Sequence, residues 1–208
     1  MRIVAQDISK LLGVQWVIRS FSAEFKKAEH YAIRGSNGSG KSTLLQLIST
    51  FLEPSSGSVA FYSGSEKVPL EQVHRFFSVA APYLDFIPHF SIDEQILFTE
   101  RVKGLSKQMT REDVLKIMEL EAHRNKRLSE LSSGMKQRVR LVVSLSANVP
   151  FVFLDEPTTN LDDRSKQWYL ETVRHLGVSK GLIIASNDEL DLETCTTSFN
   201  VENYKVRL

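Results

Sequence analysis

The nine residues Gly35-Ser36-Asn37-Gly38-Ser39-Gly40-Lys41-Ser42-Thr43 carry the densest chemistry in the chain. Their glycines lack a Cβ, so the loop can curl with its N–H groups inward and let a phosphate come close. Lys41 is placed to reach β- and γ-phosphates as a point charge, and the Ser42 hydroxyl to ligate magnesium. The loop follows the apolar Tyr31-Ala32-Ile33 and leads into Leu44-Leu45-Gln46-Leu47-Ile48, which has helical spacing. A helix starting there adds its unpaired first-turn N–H groups and the positive end of its dipole. This order of strand, glycine-rich loop and helix gives G-x-x-x-x-G-K-[ST] its meaning as a nucleoside triphosphate site. A chance Gly/Ser-rich turn before a lysine would lack those flanks.

Two further stretches bear chemistry. Phe151-Val152-Phe153-Leu154 reads as a strand buried on both faces, and it delivers Asp155 and Glu156 at its C-terminal end. Asp155 is suited to hold magnesium through water, and Glu156 to polarise or orient an attacking water. Alone, the pair reads equally well as an acidic turn; the upstream phosphate loop makes it the second half of a site. Leu131-Ser132-Ser133-Gly134-Met135-Lys136-Gln137-Arg138 opens a helix. Ser132 and Gly134 at that helix end form a second anion site by the same physics, although in isolation they read as an ordinary N-cap. The five histidines show no metal-ligand spacing with each other or with Cys195, and no chemistry is assigned to them.

The elements that position these groups follow from pattern. Residues 2–34 read as β-structure, with Phe21, Ala23 and Phe25 alternating against Ser22 and Glu24. The helix after the phosphate loop is expected to end near Glu53-Pro54, with a turn over 54–57 and strands over 58–62 and 76–80. Between about 84 and 131 the pattern becomes helical. Ser91-Ile92-Asp93-Glu94 is a capping box opening a helix to about Lys103, and Thr110 and Asp113 start another. Helices are expected over 132–147 and 163–176, a buried strand over 181–185, and a small hairpin over 198–208. The reading is one α/β unit spanning 1–208 with a helical lobe inserted at about 84–131.

Bulk properties agree. At 208 residues the chain can bury a real core, and 26 basic against 25 acidic side chains give no footprint of a nucleic-acid binder. Cys195 is the sole cysteine, which excludes an internal disulfide, fits a reducing compartment and reads as a small core residue. The longest apolar region, 141–154, is interrupted by Ser144, Ser146, Asn148 and Pro150 and falls short of the ~20 residues a bilayer needs. The N-terminus shows no signal-peptide pattern. The expectation is a cytoplasmic chain whose membrane connection runs through a partner.

In order and approximate spacing, the Walker A stretch GSNGSGKST, LSSGMKQR, the Walker B run FVFLDEP and TTNLD resemble the ATP-binding cassette (ABC) ATPases. The resemblance covers almost the whole chain. It implies a P-loop core with an N-terminal antiparallel β-subdomain and an inserted α-helical subdomain. It also implies two copies facing head to tail, each Mg-ATP held between one copy's Walker A loop and the other's signature helix. By position, Ser132 and Gly134 would contact the partner's ATP, and Asp162 would be the D-loop aspartate bridging the two sites. Such a homodimer would drive a separate membrane permease at the inner face of the plasma membrane. Tyr83, Phe86 and Phe90 fall where the family docks that permease; packing of the helical lobe accounts for them equally well.

Three positions depart from the family pattern. Leu12 stands where an aromatic ring normally covers adenine, with Trp16 nearby as a second candidate and more naturally a packing residue. Val79-Ala80-Ala81-Pro82-Tyr83 replaces the Q-loop, with Pro82 at the glutamine position. Asn187 replaces the switch histidine; it can donate a neutral hydrogen bond to a γ-phosphate but carries no charge. The expected activity is therefore slow ATP hydrolysis with Glu156, Lys41 and Asn187 as the catalytic set. A nucleotide-gated dimerisation switch and a soluble ABC ATPase outside transport are the alternatives.

Overall fold

The computed structural model describes residues 1–106 and 109–205. β1 (Arg2–Leu12) and β2 (Gln15–Lys26) form a long antiparallel hairpin, as the N-terminal alternation predicts. β3 (His30–Arg34) then leaves for a second sheet and runs into the phosphate loop and α1 (Lys41–Ile48). β4 (Ser56–Ser63) returns to pair with β1, and the short β5 (Glu66–Lys67) pairs with β4. The first sheet is thus ordered β2-β1-β4-β5 and is antiparallel throughout.

The second sheet is parallel. β6 (Phe77–Ala80), β7 (Phe151–Asp155), β8 (Gly181–Ala185) and β9 (Thr197–Asn200) join β3 in the order β6-β7-β8-β3-β9. Its central strands are buried on both faces, and successive residues of one strand enter different cores. Phe151 and Phe153 pack toward α1 and the antiparallel sheet, while Val152 and Leu154 pack toward the helices on the other side. That explains why these strands read as unbroken apolar runs instead of alternating ones. The helical side is built by α2 (Ile92–Lys103), α3 (Arg111–Met118), α4 (Ser133–Ser146) and α5 (Asp163–Leu176). Both capping boxes read from the sequence are present, Ser91 with Glu94 and Thr110 with Asp113.

Three boundaries differ from expectation. α1 stops at Ile48 and not near residue 53, because Thr50 takes a left-handed φ of 62° and the Leu52 N–H turns back to the Gln46 carbonyl. The stretch read as a turn already belongs to β4 from Ser56. Gly57 there has φ +82°, and a Cβ on it would lie 2.4 Å from the Asp7 carbonyl oxygen, so glycine lets the strand run on past the bulge in β1. The C-terminal hairpin is not formed among the described residues. β9 instead takes the open edge beside β3, Phe199 packs against Phe21, Phe25 and Tyr31, and a 3₁₀ turn over Val201–Tyr204 follows. The last part of that expectation, 206–208, lies outside the described residues.

Candidate nucleotide site

Three strands that lie side by side, β7, β8 and β3, end at one edge of the parallel sheet. The acidic pair Asp155-Glu156 leaves β7, Ser186-Asn187 leaves β8, and the loop 35–40 leaves β3. Ligands of open α/β sheets sit in such a crevice, beyond the carboxyl ends of the strands. The cleft holds about 420 Å³ and is lined by Leu12, Val17, Asn37, Gly38, Gly40, Lys41, Ser42, Thr43 and Glu156.

Gly40 stands at the N-cap of α1 with φ +105°, and a Cβ there would meet Val17 Cγ1 at 2.6 Å. The β-hairpin is therefore pressed directly onto the loop. Lys41 is buried, and its ammonium donates to the Gly35 carbonyl at 3.0 Å and the Ser36 carbonyl at 3.4 Å. The same ammonium lies 3.3 Å from the Glu156 carboxylate. Glu156 itself takes a left-handed φ of 48°, with its N–H bonded to the Ala185 carbonyl, which turns its side chain off the strand end toward the loop.

Asp155 is 1% exposed. Burial, reinforced by the neighbouring Glu156 charge, pushes its carboxyl up to about 6 against the pull of Ser42 and Lys41. Neither of its oxygens has a donor in hydrogen-bond geometry, although the Ser42 hydroxyl is close by. A buried carboxylate with no donor costs free energy unless a cation meets it. The residues thus fit a divalent ion between Ser42 and Asp155.

The Asn187 carboxamide donates to Asn37 Oδ1 at 2.8 Å, so the end of β8 is tied to the loop itself. Ser186 donates to the buried Asp191, whose carboxyl is pushed up to about 6 mainly by burial. After β6 ends at Ala80, the chain runs through Ala81 and Pro82 to Tyr83. Burial first, and Asp155 second, push the Tyr83 phenol up to about 12, while the Gln46 side chain opposes them.

Ser132 caps α4, its hydroxyl accepting from the Met135 N–H at 3.3 Å. Gly134 lies against the loop after β7, where a Cβ would be 3.4 Å from the Asn160 carbonyl. Asp162 caps α5 by accepting from the Ser165 N–H at 2.8 Å, and that bonding holds its carboxyl below the usual range. Neither Ser132, Gly134 nor Asp162 lines the phosphate cleft. The sequence-predicted residues therefore fall into two groups: those lining the cleft together with Gly35, Ser36, Ser39, Asp155 and Asn187 at the strand ends and loop around it, and those at the start of α4 and α5.

Leu12 does line the cleft and is 48% exposed, whereas Trp16 does not line it and lies under Arg19, 5.8 Å from its ring. Val17 escaped the sequence reading. Nothing in its type marks it; only the fold of the hairpin over the loop brings it there. Cys195 packs against the helical-side core, and burial pushes its thiol up to about 12.

Comparison with known proteins agrees with this geometry. The family profile described as "ABC transporter" matches residues 18–159. The spermidine/putrescine import ATP-binding protein PotA of Fusobacterium nucleatum is 32% identical over 163 residues, which are 74% of this chain and 42% of PotA. The lipoprotein-releasing system ATP-binding protein LolD of Leptospira interrogans is 33% identical over 75% of this chain and 69% of LolD. A solved ABC transporter ATP-binding protein from Pyrococcus furiosus superposes with a TM-score of 0.81 at 26% identity, over 99% of this chain and 100% of that one. The chain spans about half the length of some of the curated relatives it matches. By motif, site and fold, this chain belongs to the ABC transporter family as a nucleotide-binding cassette.

Proposed function

We propose that this chain is an ATP-hydrolysing subunit that closes as a homodimer around Mg-ATP and drives a separate membrane permease. One observation carries the reading: Lys41, Ser42 and Glu156 meet in one cleft from two different strand ends, with the buried Asp155 beside Ser42. ATP phosphates replace the carbonyl and carboxylate partners that Lys41 now holds, and the loop N–H groups with the α1 dipole take the remaining negative charge. Ser42 and Asp155 would hold magnesium, which would supply positive charge against the β- and γ-phosphates. Glu156, released from Lys41, accepts a proton from the attacking water or orients it. Asn187 is close enough to the loop to offer a neutral donor to the γ-phosphate once it leaves Asn37. Rates are low, since a neutral donor stabilises the developing charge less than an imidazolium does.

The dimer is supported by the placement of Ser132, Gly134 and Asp162 outside the cleft of their own chain. They complete the site of a second copy. The permease is supported by an apolar groove of about 330 Å³ between the sheet and α2, lined by Phe51, Phe77, Phe86, Phe98 and Val102. Phe51, Phe98 and Val102 are 54%, 44% and 56% exposed, clustered apolar surface of the kind that marks a docking site. No helix among the described residues is long and apolar enough to cross a membrane.

Steady-state hydrolysis by the purified chain and its Glu156→Gln variant tests the enzyme reading. We expect a slow wild-type rate that falls by about 10²-fold or more in the variant while ATP binding persists. Equal rates would remove Glu156 from the mechanism, and a wild-type rate indistinguishable from background with ATP-dependent dimerisation intact would favour the nucleotide-gated switch.

A further inference from the structure

We infer that Glu202, in the turn after β9, is a positioning residue for the phosphate loop and sets nucleotide affinity from outside the cleft. The inference rests on the loop being the triphosphate site. Ser36 donates twice to Glu202 Oε1, through its hydroxyl at 2.6 Å and its backbone N–H at 3.3 Å. Its carbonyl faces the other way and accepts from the Ser39 N–H at 3.0 Å and the Lys41 ammonium at 3.4 Å. Ser36 is thus held on one side by the residues that meet phosphate and on the other by a carboxylate 166 positions along the chain.

The turn that presents Glu202 is itself anchored. Val201 is fully buried, Tyr204 packs edge-on against Phe21 with ring centroids 4.9 Å apart, and the Glu202 N–H donates to Asn200 Oδ1 at 3.0 Å. A carboxylate on a fixed turn orders the loop before nucleotide arrives, so the ligand spends less of its interaction energy doing so. Its charge acts in the opposite sense, repelling a triphosphate, but at an exposed position that repulsion is screened by salt. Bracing outweighs repulsion.

The two effects separate by substitution. Glu202→Gln keeps an acceptor oxygen for both Ser36 donors and removes the charge; Glu202→Ala removes both. Mg-ATP binding to the full chain would be measured by calorimetry below the melting temperature of each variant, with hydrolysis kinetics alongside. We expect Glu202→Ala to weaken binding by about three- to tenfold, with the loss in KM and not in kcat, and Glu202→Gln to bind within about twofold of wild type or tighter. Alanine binding as tightly as wild type, or glutamine binding as weakly as alanine, overturns the inference. Lys41→Ala serves as the control for the site: if it binds ATP as wild type does, the triphosphate reading fails whatever Glu202 does.

Discussion

At the scale of single residues, the site is a set of tolerances. Gly40 has no room for a methyl group and a φ that disfavours one, so Gly40→Ala carries two separable penalties. We expect it to destabilise the chain by about 1–3 kcal/mol in urea unfolding and to weaken ATP binding. Adding Val17→Ala relieves the contact but not the backbone strain, so the double variant should recover part of the loss and not all. Asp191 offers a test by pH. Its folded carboxyl titrates near 6 because it is buried, above the value of about 3.9 in an unfolded chain. Folding therefore holds its proton, and stability from this group is present below pH 4, lost as pH rises toward 6, and level above that. Asp191→Asn removes the loss: its melting temperature relative to wild type should climb between pH 4 and 6 and then stay constant. A difference independent of pH would show that Asp191 is not titrating there. The cleft residues were legible in the sequence because one loop and one strand end carry them. Val17 and Glu202 were not, because they arrive from distant segments and their types, an apolar residue and a surface carboxylate, are common everywhere.

At the scale of elements, each chemical group sits where an element begins or ends. The parallel strands were readable because burial on both faces demands a run such as Phe151-Val152-Phe153-Leu154, and nothing polar interrupts it. The helical lobe was readable from its caps. Ser91 receives the Glu94 N–H while Glu94 receives the Ser91 N–H at 2.7 Å, so Ser91→Ala should cost about 1 kcal/mol. Hydrogen exchange should locate that loss in the first turn of α2 and leave α1 untouched. Uniform loosening of the whole chain would contradict a local cap. The C-terminal strand was misread for a physical reason. Alternation over 198–208 shows that a segment is extended but not what it pairs with, and for β9 the free edge of β3 decided that.

At the scale of the molecule, the proposed homodimer would make the cassette half of a machine. Its nucleotide cleft is lined by the hairpin, the loop after β3, the start of α1 and Glu156, while the capped starts of α4 and α5 hold Ser132, Gly134 and Asp162 outside it. The apolar groove beside α2 lies elsewhere, lined by residues of the sheet edge, α2 and α4, so the proposed permease docking and the proposed nucleotide closure would use separate surfaces. α4 belongs to both, since Ser132 caps its start and Arg140, Val143 and Ser144 face the groove. A shift of that helix on closure would be felt at the groove. The direct test is the mass of the Glu156→Gln chain in solution by light scattering, with saturating Mg-ATP and, separately, Mg-ADP. Clamping of each triphosphate by two copies predicts twice the chain mass with ATP and a single chain with ADP. A single chain with ATP demonstrably bound would contradict it.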